Sequence, residues 1–223
     1  MKRPIGGLYV IVDPEAVRGR DLVTVTQAAV RGGADVVQLR AKAMGGRAFY
    51  EAACALREVC RAGGAVFIVN DRADVAAAAD ADGVHVGQED LPVAQARQVV
   101  GPDRMVGTSV KTANLAVQAV REGADYLGVG AMFASPTKPG SSVIGPERLR
   151  EIRAAVQVPI VGIGGVDAGN AGIVMQAGAN GVAVIQAVAG AEDVEAATRR
   201  MKEATRAGRP YVHSIHAQGF VGP

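Results

Sequence analysis

The sequence contains little that would mark a disulfide-rich or membrane-spanning protein. Only two of its 223 residues are cysteines, Cys54 and Cys60. Residues at this spacing do not share a helix face, so we expect neither a disulfide nor a metal site between them. No apolar run is long enough to span a bilayer, and residues 1–7 lack a hydrophobic signal segment. These absences favour a cytoplasmic protein, as does the low cysteine content.

Charge of either sign is not in excess. The chain has 24 basic and 22 acidic residues, for a formal net charge of +2, which gives no signal for nucleic acid or a membrane surface. Hydrophobic residues make up 49% of the sequence, and a chain of this length can bury a full core as one domain. We therefore expect a single domain over 1–207. A tail over 208–223 follows, and its lack of periodicity is typical of disorder.

A short lead-in is repeated along the chain. Its four copies are Gly33-Ala34-Asp35, Ala81-Asp82-Gly83, Gly123-Ala124-Asp125 and Gly178-Ala179-Asn180. Glycine just past a helix adopts the left-handed conformation that ends it, and the short polar residue then turns the chain into a strand. Each copy therefore predicts a helix end followed by a strand start, and the copies alternate with a second set of β-rich runs.

This alternation predicts an α/β fold. Strands separated by helices indicate parallel pairing with right-handed crossovers, and eight such units indicate closure into a (β/α)₈ TIM barrel. An open, doubly wound sheet is the alternative, and the repeat argues against it. The predicted helices are 22–31, 46–62, 73–79, 93–99, 113–122, 146–155, 168–177 and 194–207.

Cationic and polar residues follow the second predicted strand. Active sites of such barrels lie at the carboxyl ends of the strands, and the period of two places Gln38, Arg40 and Lys42 on the side toward the barrel axis. A buried cation without a partner is costly. Arg40 and Lys42 are therefore expected to bind an anion such as a diphosphate, which suits the fork of donors on arginine. The alternative is that they pair with carboxylates of the barrel.

Hard oxygen ligands follow the next two predicted strands, at Asn70, Asp71 and Asp90. Mg²⁺ takes one or two carboxylates together with waters and phosphate oxygens, so we predict a Mg²⁺ site at Asp71 and Asp90. Either aspartate could instead cap a helix, and Glu89 is the main competitor to Asp90. His85 is expected to be packed or hydrogen-bonded rather than catalytic.

A second anion site is indicated at the last two predicted strands. The run 162–166 is rich in glycine, and such a turn exposes backbone N–H groups where barrels frequently hold a phosphate. Tight turns without a ligand are the alternative. A long connection over 131–145 lies on the same face, and loops of this length are usually functional or disordered. Two anion sites, one of them metal-assisted, indicate a group transfer with pyrophosphate leaving, and the residues alone name neither substrate.

Several of these segments together resemble the thiamine phosphate synthase family. The resemblance extends from Leu8 to about Val188, and its most specific segments are 38–42, 70–72, 83–90, 130–138 and 161–165. It implies a transferase of thiamine biosynthesis that uses Mg²⁺. Such an enzyme joins 4-amino-2-methyl-5-hydroxymethylpyrimidine diphosphate to 4-methyl-5-(2-phosphoethyl)thiazole and releases pyrophosphate.

The resemblance also implies a role for each matched residue. The pyrimidine diphosphate would be held by Gln38, Arg40, Lys42 and Asn70. Mg²⁺ would be bound by Asp71 and Asp90. The pyrimidine would contact Ser109, and the long loop would close over both substrates with Ser135, Thr137 and Lys138. The thiazole phosphate would be held, largely through the backbone, by Gly165, Ile185 and Gln186.

The chemistry implied by the resemblance is dissociative. Diphosphate leaves first, and the thiazole nitrogen captures the resulting pyrimidine methylene cation, so no nucleophilic side chain is needed. The implied catalytic residues are Arg40, Lys42 and Lys138, because they stabilise the charge that builds on the leaving group. The closed loop would hold the two rings within reach and keep water from the cation.

The sequence departs from the family pattern at two positions, and other functions remain as alternatives. Lys111 stands where many members have histidine, and Gln186 stands where many have serine. A related thiazole tautomerase is the main alternative, although Asp90 and the loop residues favour the synthase. A sugar-phosphate isomerase or decarboxylase and a non-catalytic barrel that binds thiamine precursors are further alternatives. The resemblance implies small-molecule partners, with no nucleic acid or membrane, and allows a homo-oligomer.

Overall fold

The predicted barrel is present. The computed structural model describes residue 3, residues 5–135 and residues 142–208. In this part of the chain, eight strands alternate with eight helices. All strand pairs are parallel and follow chain order, and the last strand pairs with the first, which closes the sheet. The (β/α)₈ prediction is therefore confirmed.

The elements are short and regular. The strands are β1 Gly7–Val12, β2 Val36–Leu39, β3 Val66–Asn70, β4 Gly83–Val86, β5 Met105–Val110, β6 Tyr126–Val129, β7 Ile160–Ile163 and β8 Gly181–Val184. The helices are α1 Leu22–Arg31, α2 Gly46–Gly63, α3 Ala73–Ala78, α4 Val93–Val100, α5 Ala113–Arg121, α6 Gly145–Ala155, α7 Ala171–Gln176 and α8 Val194–Ala207. None of these helices is long and apolar enough to cross a membrane.

The predicted helix bounds agree with the structure to within one residue, except at α7. That helix begins at Ala171, so the predicted start at residue 168 was wrong. The Asp167 carboxylate accepts hydrogen bonds from the N–H groups of Gly169 and Asn170, at 2.8 and 3.1 Å, and the Asn170 side chain accepts one from Asp167 N–H. These local bonds hold the backbone in a turn that competes with the first helical turn.

The strands are apolar on both faces, as expected for a parallel sheet covered by helices. On β1, Leu8 and Val10 face outward and pack with the helices in the larger core cluster. Tyr9 and Ile11 alternate with them and belong to a separate cluster inside the barrel. Side chains of this cluster fill the barrel interior, and a cavity opens toward the carboxyl ends of the strands.

The repeated lead-in has the backbone that the sequence predicted in three of its four copies. Gly33, Gly123 and Gly178 have φ values of 98°, 99° and 103°. The remaining copy has no glycine at this position, and Asp80 instead adopts φ 53°. Aspartate is one of the few residues with a side chain that tolerates this region.

The polar residue of each lead-in does more than turn the chain. Its side-chain oxygen accepts a hydrogen bond from a backbone N–H at the start of the preceding strand, at 2.7 to 2.9 Å. We call the four acceptors clamp residues, and the acceptor–donor pairs are Asp35–Leu8, Asp82–Phe67, Asp125–Val106 and Asn180–Ile160. Each clamp residue also donates its own N–H to the carbonyl of the same partner. A basic side chain contacts each acceptor oxygen, namely Lys202, Arg3, Arg97 and Arg153.

Removing one clamp should destabilise the barrel. Asp125→Ala removes the side-chain acceptor of Val106 N–H and one of several acceptors of the Arg97 guanidinium, so we expect the free energy of unfolding to fall by about 1–3 kcal/mol. Asp125→Asn keeps an acceptor oxygen, as Asn180 does in the fourth clamp, and should lose less. Urea unfolding of both variants measures this. Equal losses in the two variants would mean that the charge, not the hydrogen bond to Val106, is responsible.

Candidate active site

A cavity of about 900 Å³ lies at the carboxyl ends of the strands. Most of the predicted substrate residues line it, namely Gln38, Arg40, Asn70, Ser109, Ser135, Gly165, Ile185 and Gln186. Lys111, where the sequence departs from the family pattern, is also part of the lining. Two predicted residues, Thr137 and Lys138, lie outside the described residues.

Arg40 already has a carboxylate partner. Its Nη1 atom donates to Asp13 Oδ2, and the Asp13 side chain is only 6% exposed. The other Asp13 oxygen accepts from Glu15 N–H at 3.0 Å, so the carboxylate is held in place from two sides. The alternative in which Arg40 pairs with a carboxylate of the barrel is therefore observed. A guanidinium has five N–H donors, and Arg40 still lines the cavity, so it can bind an anion while Asp13 fixes its position.

Lys42 pairs with a predicted metal ligand. Its Nζ atom lies 3.3 Å from Asp71 Oδ2, and its side chain is 57% exposed. Lys42 lies beyond the end of β2, at the edge of the site and not in the cavity lining. Asp71 has φ 61°, a conformation unusual for a residue with a side chain, and its N–H donates to the carbonyl of His85 at 2.8 Å. The Asp71 carboxylate is thus placed by a turn linked to β4.

Asp71 and Asp90 form a pair of carboxylates. Burial and the neighbouring Asp90 raise the pKa of Asp71, and Lys42 acts in the opposite direction. Neither aspartate is the N-cap of a helix, since Arg72 precedes α3 and Pro92 precedes α4. Two like charges held together disfavour each other, and a cation between them would relieve that repulsion.

The donor set fits Mg²⁺ only with help from substrate and water. Within the described ranges no group of three or more His, Cys, Asp or Glu side chains could hold a metal. Mg²⁺ is commonly held by one or two carboxylates and completes its shell with waters and phosphate oxygens, so Asp71 and Asp90 suffice. Glu89, the competitor to Asp90, is exposed. The Asn70 side-chain oxygen accepts from Gln38 at 2.9 Å, and its expected role beside the diphosphate stays a prediction.

The loop after β4 orients Asp90. Its Oδ2 atom accepts from Gly87 N–H at 2.8 Å, and the adjacent Gln88 side chain donates to the carbonyl of Ser109 at 2.7 Å. Gln88 lines the main cavity and also a smaller one of about 160 Å³ that contains Asp90. Asp90 therefore lies beside the main cavity and is joined to its wall through Gln88.

A chain of hydrogen-bonded side chains crosses the floor of the cavity. Its members come from six different strands and, in order, are Asn70, Gln38, Tyr9, Tyr126, His85 and Ser109. The five bonds are 2.6 to 3.1 Å long. Burial lowers the pKa of His85 to about 4, although the charge of Asp90 acts in the opposite direction. The ring is neutral near pH 7 and is hydrogen-bonded through both nitrogens, which confirms the expectation that His85 is a hydrogen-bonded residue.

The glycine turn after β7 is required by close packing. Gly165 has φ 65°, and a Cβ atom there would lie 2.6 Å from the Ala134 carbonyl oxygen and 2.7 Å from that of Phe133. The same segment donates from Phe133 N–H to the carbonyl of Gly164 at 2.9 Å. Only glycine permits this approach, so the turn and the start of the long loop share one wall of the cavity.

The turn after β8 completes that wall. The carbonyl of Ile185 accepts from Ala189 N–H at 2.8 Å, which closes a tight turn. The Gln186 side chain lies over Gly190, where a Cβ atom would come within 2.1 Å of Gln186 Oε1. Arg20 holds the far side of this turn by donating to the carbonyls of Ala189 and Ala191. Residues of both turns line the cavity, and their role in binding a phosphate stays a prediction.

Sequence reasoning missed three residues of the site. Asp13 directly follows the apolar run of β1, and an acidic residue in that place is a signal that could have been used. Tyr9 and Tyr126 lie within apolar strands, and nothing in a linear pattern separates an inward phenol in a network from one packed in the core.

The sequence matches the model of the thiamine monophosphate synthase family over residues 8–188. The thiamine-phosphate synthase of Moorella thermoacetica is 49% identical over 207 residues, covering 92% of this chain and 99% of that protein. That of Chloroflexus aurantiacus is 52% identical over 196 residues, covering 87% and 90%.

Solved structures agree with these matches. Thiamine phosphate pyrophosphorylase from Pyrococcus furiosus superposes with a TM-score of 0.84 at 40% identity, covering 91% of this chain and 96% of that one. A 3-hexulose-6-phosphate synthase, at 21% identity and a TM-score of 0.65, shares the fold alone. The family model and the relatives cover nearly the whole barrel, and the chain therefore belongs to the thiamine monophosphate synthase family.

Proposed function

We propose that this chain is a thiamine-phosphate synthase that joins a pyrimidine diphosphate to a thiazole phosphate and releases pyrophosphate. The observation that supports the proposal is a cavity bordered on two sides by groups that could each bind an anion. Cations and a carboxylate pair lie at the ends of β2 to β4, and glycine-rich and tight backbone turns follow β7 and β8. In a closed eight-stranded barrel these two groups of strands face each other, so two phosphorylated ligands would meet between them.

The diphosphate end combines fixed and adjustable charges. Arg40, held by Asp13, would bind diphosphate oxygens with its remaining donors. Lys42 is exposed and paired with Asp71, and it would shift toward the leaving group as its charge develops. Asp71 and Asp90 would hold Mg²⁺, which neutralises charge on diphosphate oxygens when bound. We propose Arg40, Lys42 and Lys138 as the catalytic residues, and Lys138 rests on the family resemblance alone.

The two rings would lie between the anion ends. Ser109 would contact the pyrimidine, with Gln38 and Asn70 on the diphosphate side. Gly165, Ile185 and Gln186 would receive the thiazole phosphate through backbone N–H groups. Ser135 and Thr137 would contact the substrates from the long loop. A cavity of about 900 Å³ is at the upper end of the range for small-molecule sites, which supports simultaneous binding of both substrates.

Two further expectations belong to the proposal. We propose a cytoplasmic location, supported by two free cysteines, Cys54 and Cys60, since reduced thiols suit that compartment. A homo-oligomer is compatible with the proposal and is not required by it.

The reaction itself is the first measurement. Purified protein mixed with the pyrimidine diphosphate, the thiazole phosphate and Mg²⁺ should give thiamine phosphate and pyrophosphate, detected by mass spectrometry, and EDTA should abolish the product. Two intact substrates would refute the synthase proposal. Conversion of the thiazole phosphate to its tautomer without the pyrimidine substrate would instead identify a tautomerase.

The metal assignment has a matched test. Asp71→Asn keeps the side-chain shape and suits the positive φ, but it removes the charge, so kcat/KM should fall about 100-fold or more while the affinity for thiazole phosphate stays unchanged. Asp74→Asn is the control, because Asp74 pairs with Arg72 on the surface, and its activity should equal that of the wild type. Normal Mg²⁺ dependence in Asp71→Asn would remove Asp71 from the metal site.

The glycine turn can be tested from the thiazole side. Gly165→Ala forces a Cβ atom against two carbonyl oxygens at positive φ, so we expect the KM for thiazole phosphate to rise about tenfold, as for a loss of about 1.4 kcal/mol. Gly172→Ala is the control within α7, since its Cβ atom would have no neighbour closer than 3.8 Å. An unchanged KM in Gly165→Ala would mean that the phosphate binds elsewhere.

A further inference from the structure

In the hydrogen-bonded network of side chains across the cavity floor, from Asn70 to Ser109, the direction of each hydrogen bond depends on the direction of its neighbours. A phenol has one O–H, and a neutral imidazole has one N–H. Once one member donates its only hydrogen to one neighbour, it must accept from the other neighbour. The direction at a single link therefore sets the direction of every link from Asn70 to Ser109.

The amide of Gln38 sets that direction. Its Oε1 atom lies 2.6 Å from Tyr9 Oη, so Tyr9 donates to it. The Tyr9 oxygen then accepts from Tyr126, whose hydroxyl lies 3.1 Å away. Tyr126 in turn accepts from Nδ1–H of His85. His85 Nε2 is left without a proton, so it accepts from the Ser109 hydroxyl at 3.0 Å.

The other end of the chain follows from the same amide. Gln38 Nε2 donates to Asn70 Oδ1 at 2.9 Å, which leaves the two Nδ2 hydrogens of Asn70 for the cavity. An anion beside Arg40 would accept from them. With the opposite direction, Asn70 would offer its oxygen there, and an oxygen lone pair repels an anion. The electrostatics of the diphosphate end and the Gln38 geometry thus agree on one direction.

Glycines in the neighbouring strands leave space for the rings of Tyr126 and His85. A Cβ atom at Gly107 would lie 2.1 Å from Tyr126 Cζ, and one at Gly128 would lie 3.1 Å from His85 Cε1. Both phenols are buried, and burial raises the pKa of Tyr9 and of Tyr126. The phenols therefore stay protonated, and each remains a donor with a fixed partner.

We propose that Tyr9 and Tyr126 are positioning residues that make the two ends of the hydrogen-bonded network, Asn70 and Ser109, chemically different. Asn70 presents only N–H donors, and Ser109, which gives its proton to His85, presents only lone pairs. A ligand that places an anionic group at Asn70 and an N–H donor at Ser109 fits, and the reversed ligand does not. If the ligand is the pyrimidine diphosphate of the proposed function, its amino group is the donor that Ser109 receives.

Nitrogen NMR tests the direction without any substrate. In ¹⁵N-labelled protein, the two-bond ¹H–¹⁵N spectrum reports which nitrogen of His85 is protonated, and a His85→Asn variant assigns the signal among the three histidines. We expect the proton on Nδ1. A proton on Nε2 in the wild type would overturn the proposal, whatever any variant does.

Tyr126→Phe tests the role of the phenol. It removes the acceptor of Nδ1–H, so we expect the His85 signal to move to Nε2–H or to a mixture of the two forms. The control is Tyr50→Phe, because Tyr50 is exposed on α2, and its spectrum should match that of the wild type. A His85 signal that is unchanged in folded Tyr126→Phe would show that Tyr126 does not set the tautomer, and so would contradict the proposal.

Binding adds a readout of specificity. Calorimetry should compare the pyrimidine diphosphate with an analogue that has hydrogen in place of the amino group. Wild-type protein should prefer the amino compound, and Tyr126→Phe should reduce this preference about tenfold. An undiminished preference would contradict the proposal. If only the proposed function is wrong, the His85 proton should still lie on Nδ1 in the wild-type protein. If this inference is wrong, the proton should lie on Nε2, so the two failures are distinguishable.

Discussion

The structure depends on the hydrogen bonds that the four clamp residues make at the amino ends of the strands. Parallel strands that begin a sheet leave backbone N–H groups without a partner, and an unpaired buried N–H is costly. Asp35, Asp82, Asp125 and Asn180 supply the missing acceptor, and a basic side chain contacts each one. The barrel is thereby fixed at one face, and the residues at the opposite face are free to serve chemistry.

The charged residues at the two faces of the barrel have different partners. At the amino face, each clamp residue binds a backbone N–H and a basic side chain, so its polarity is used within the fold. At the carboxyl face, Asp71 and Asp90 are held close together, and burial and the neighbouring Asp90 raise the pKa of Asp71. Arg40 is held by a buried carboxylate but still lines the cavity. The clamps at the amino face stabilise the protein without any ligand. The charged groups at the carboxyl face become favourable when a cation and an anion are bound.

Much of this was predictable because it is local in sequence. The lead-in marked the strand starts, and polar residues that directly follow apolar runs, such as Gln38 and Asp71, marked the strand ends. What could not be predicted depends on closure. Tyr9 meets Tyr126 only because β1 and β6 face the same interior, and Asp13 meets Arg40 only through pairing of β1 with β2. The start of α7 was wrong because Asp167 and Asn170 bond to each other's backbone, and helix propensity does not include such bonds.

The clamps also bear on how the chain reaches its fold. Each one joins an odd strand to the even strand that follows, across 27, 15, 19 and 20 residues. Loops of this size close at a modest entropy cost, whereas the pairing of β8 with β1 joins the two ends of the barrel. The chain is thus organised as four βαβ quarters that can each form around their own acceptor. Pairing of β8 with β1 joins residues far apart in the sequence and closes the barrel. This closure brings the phenols of Tyr9 and Tyr126 together and forms the cavity above them.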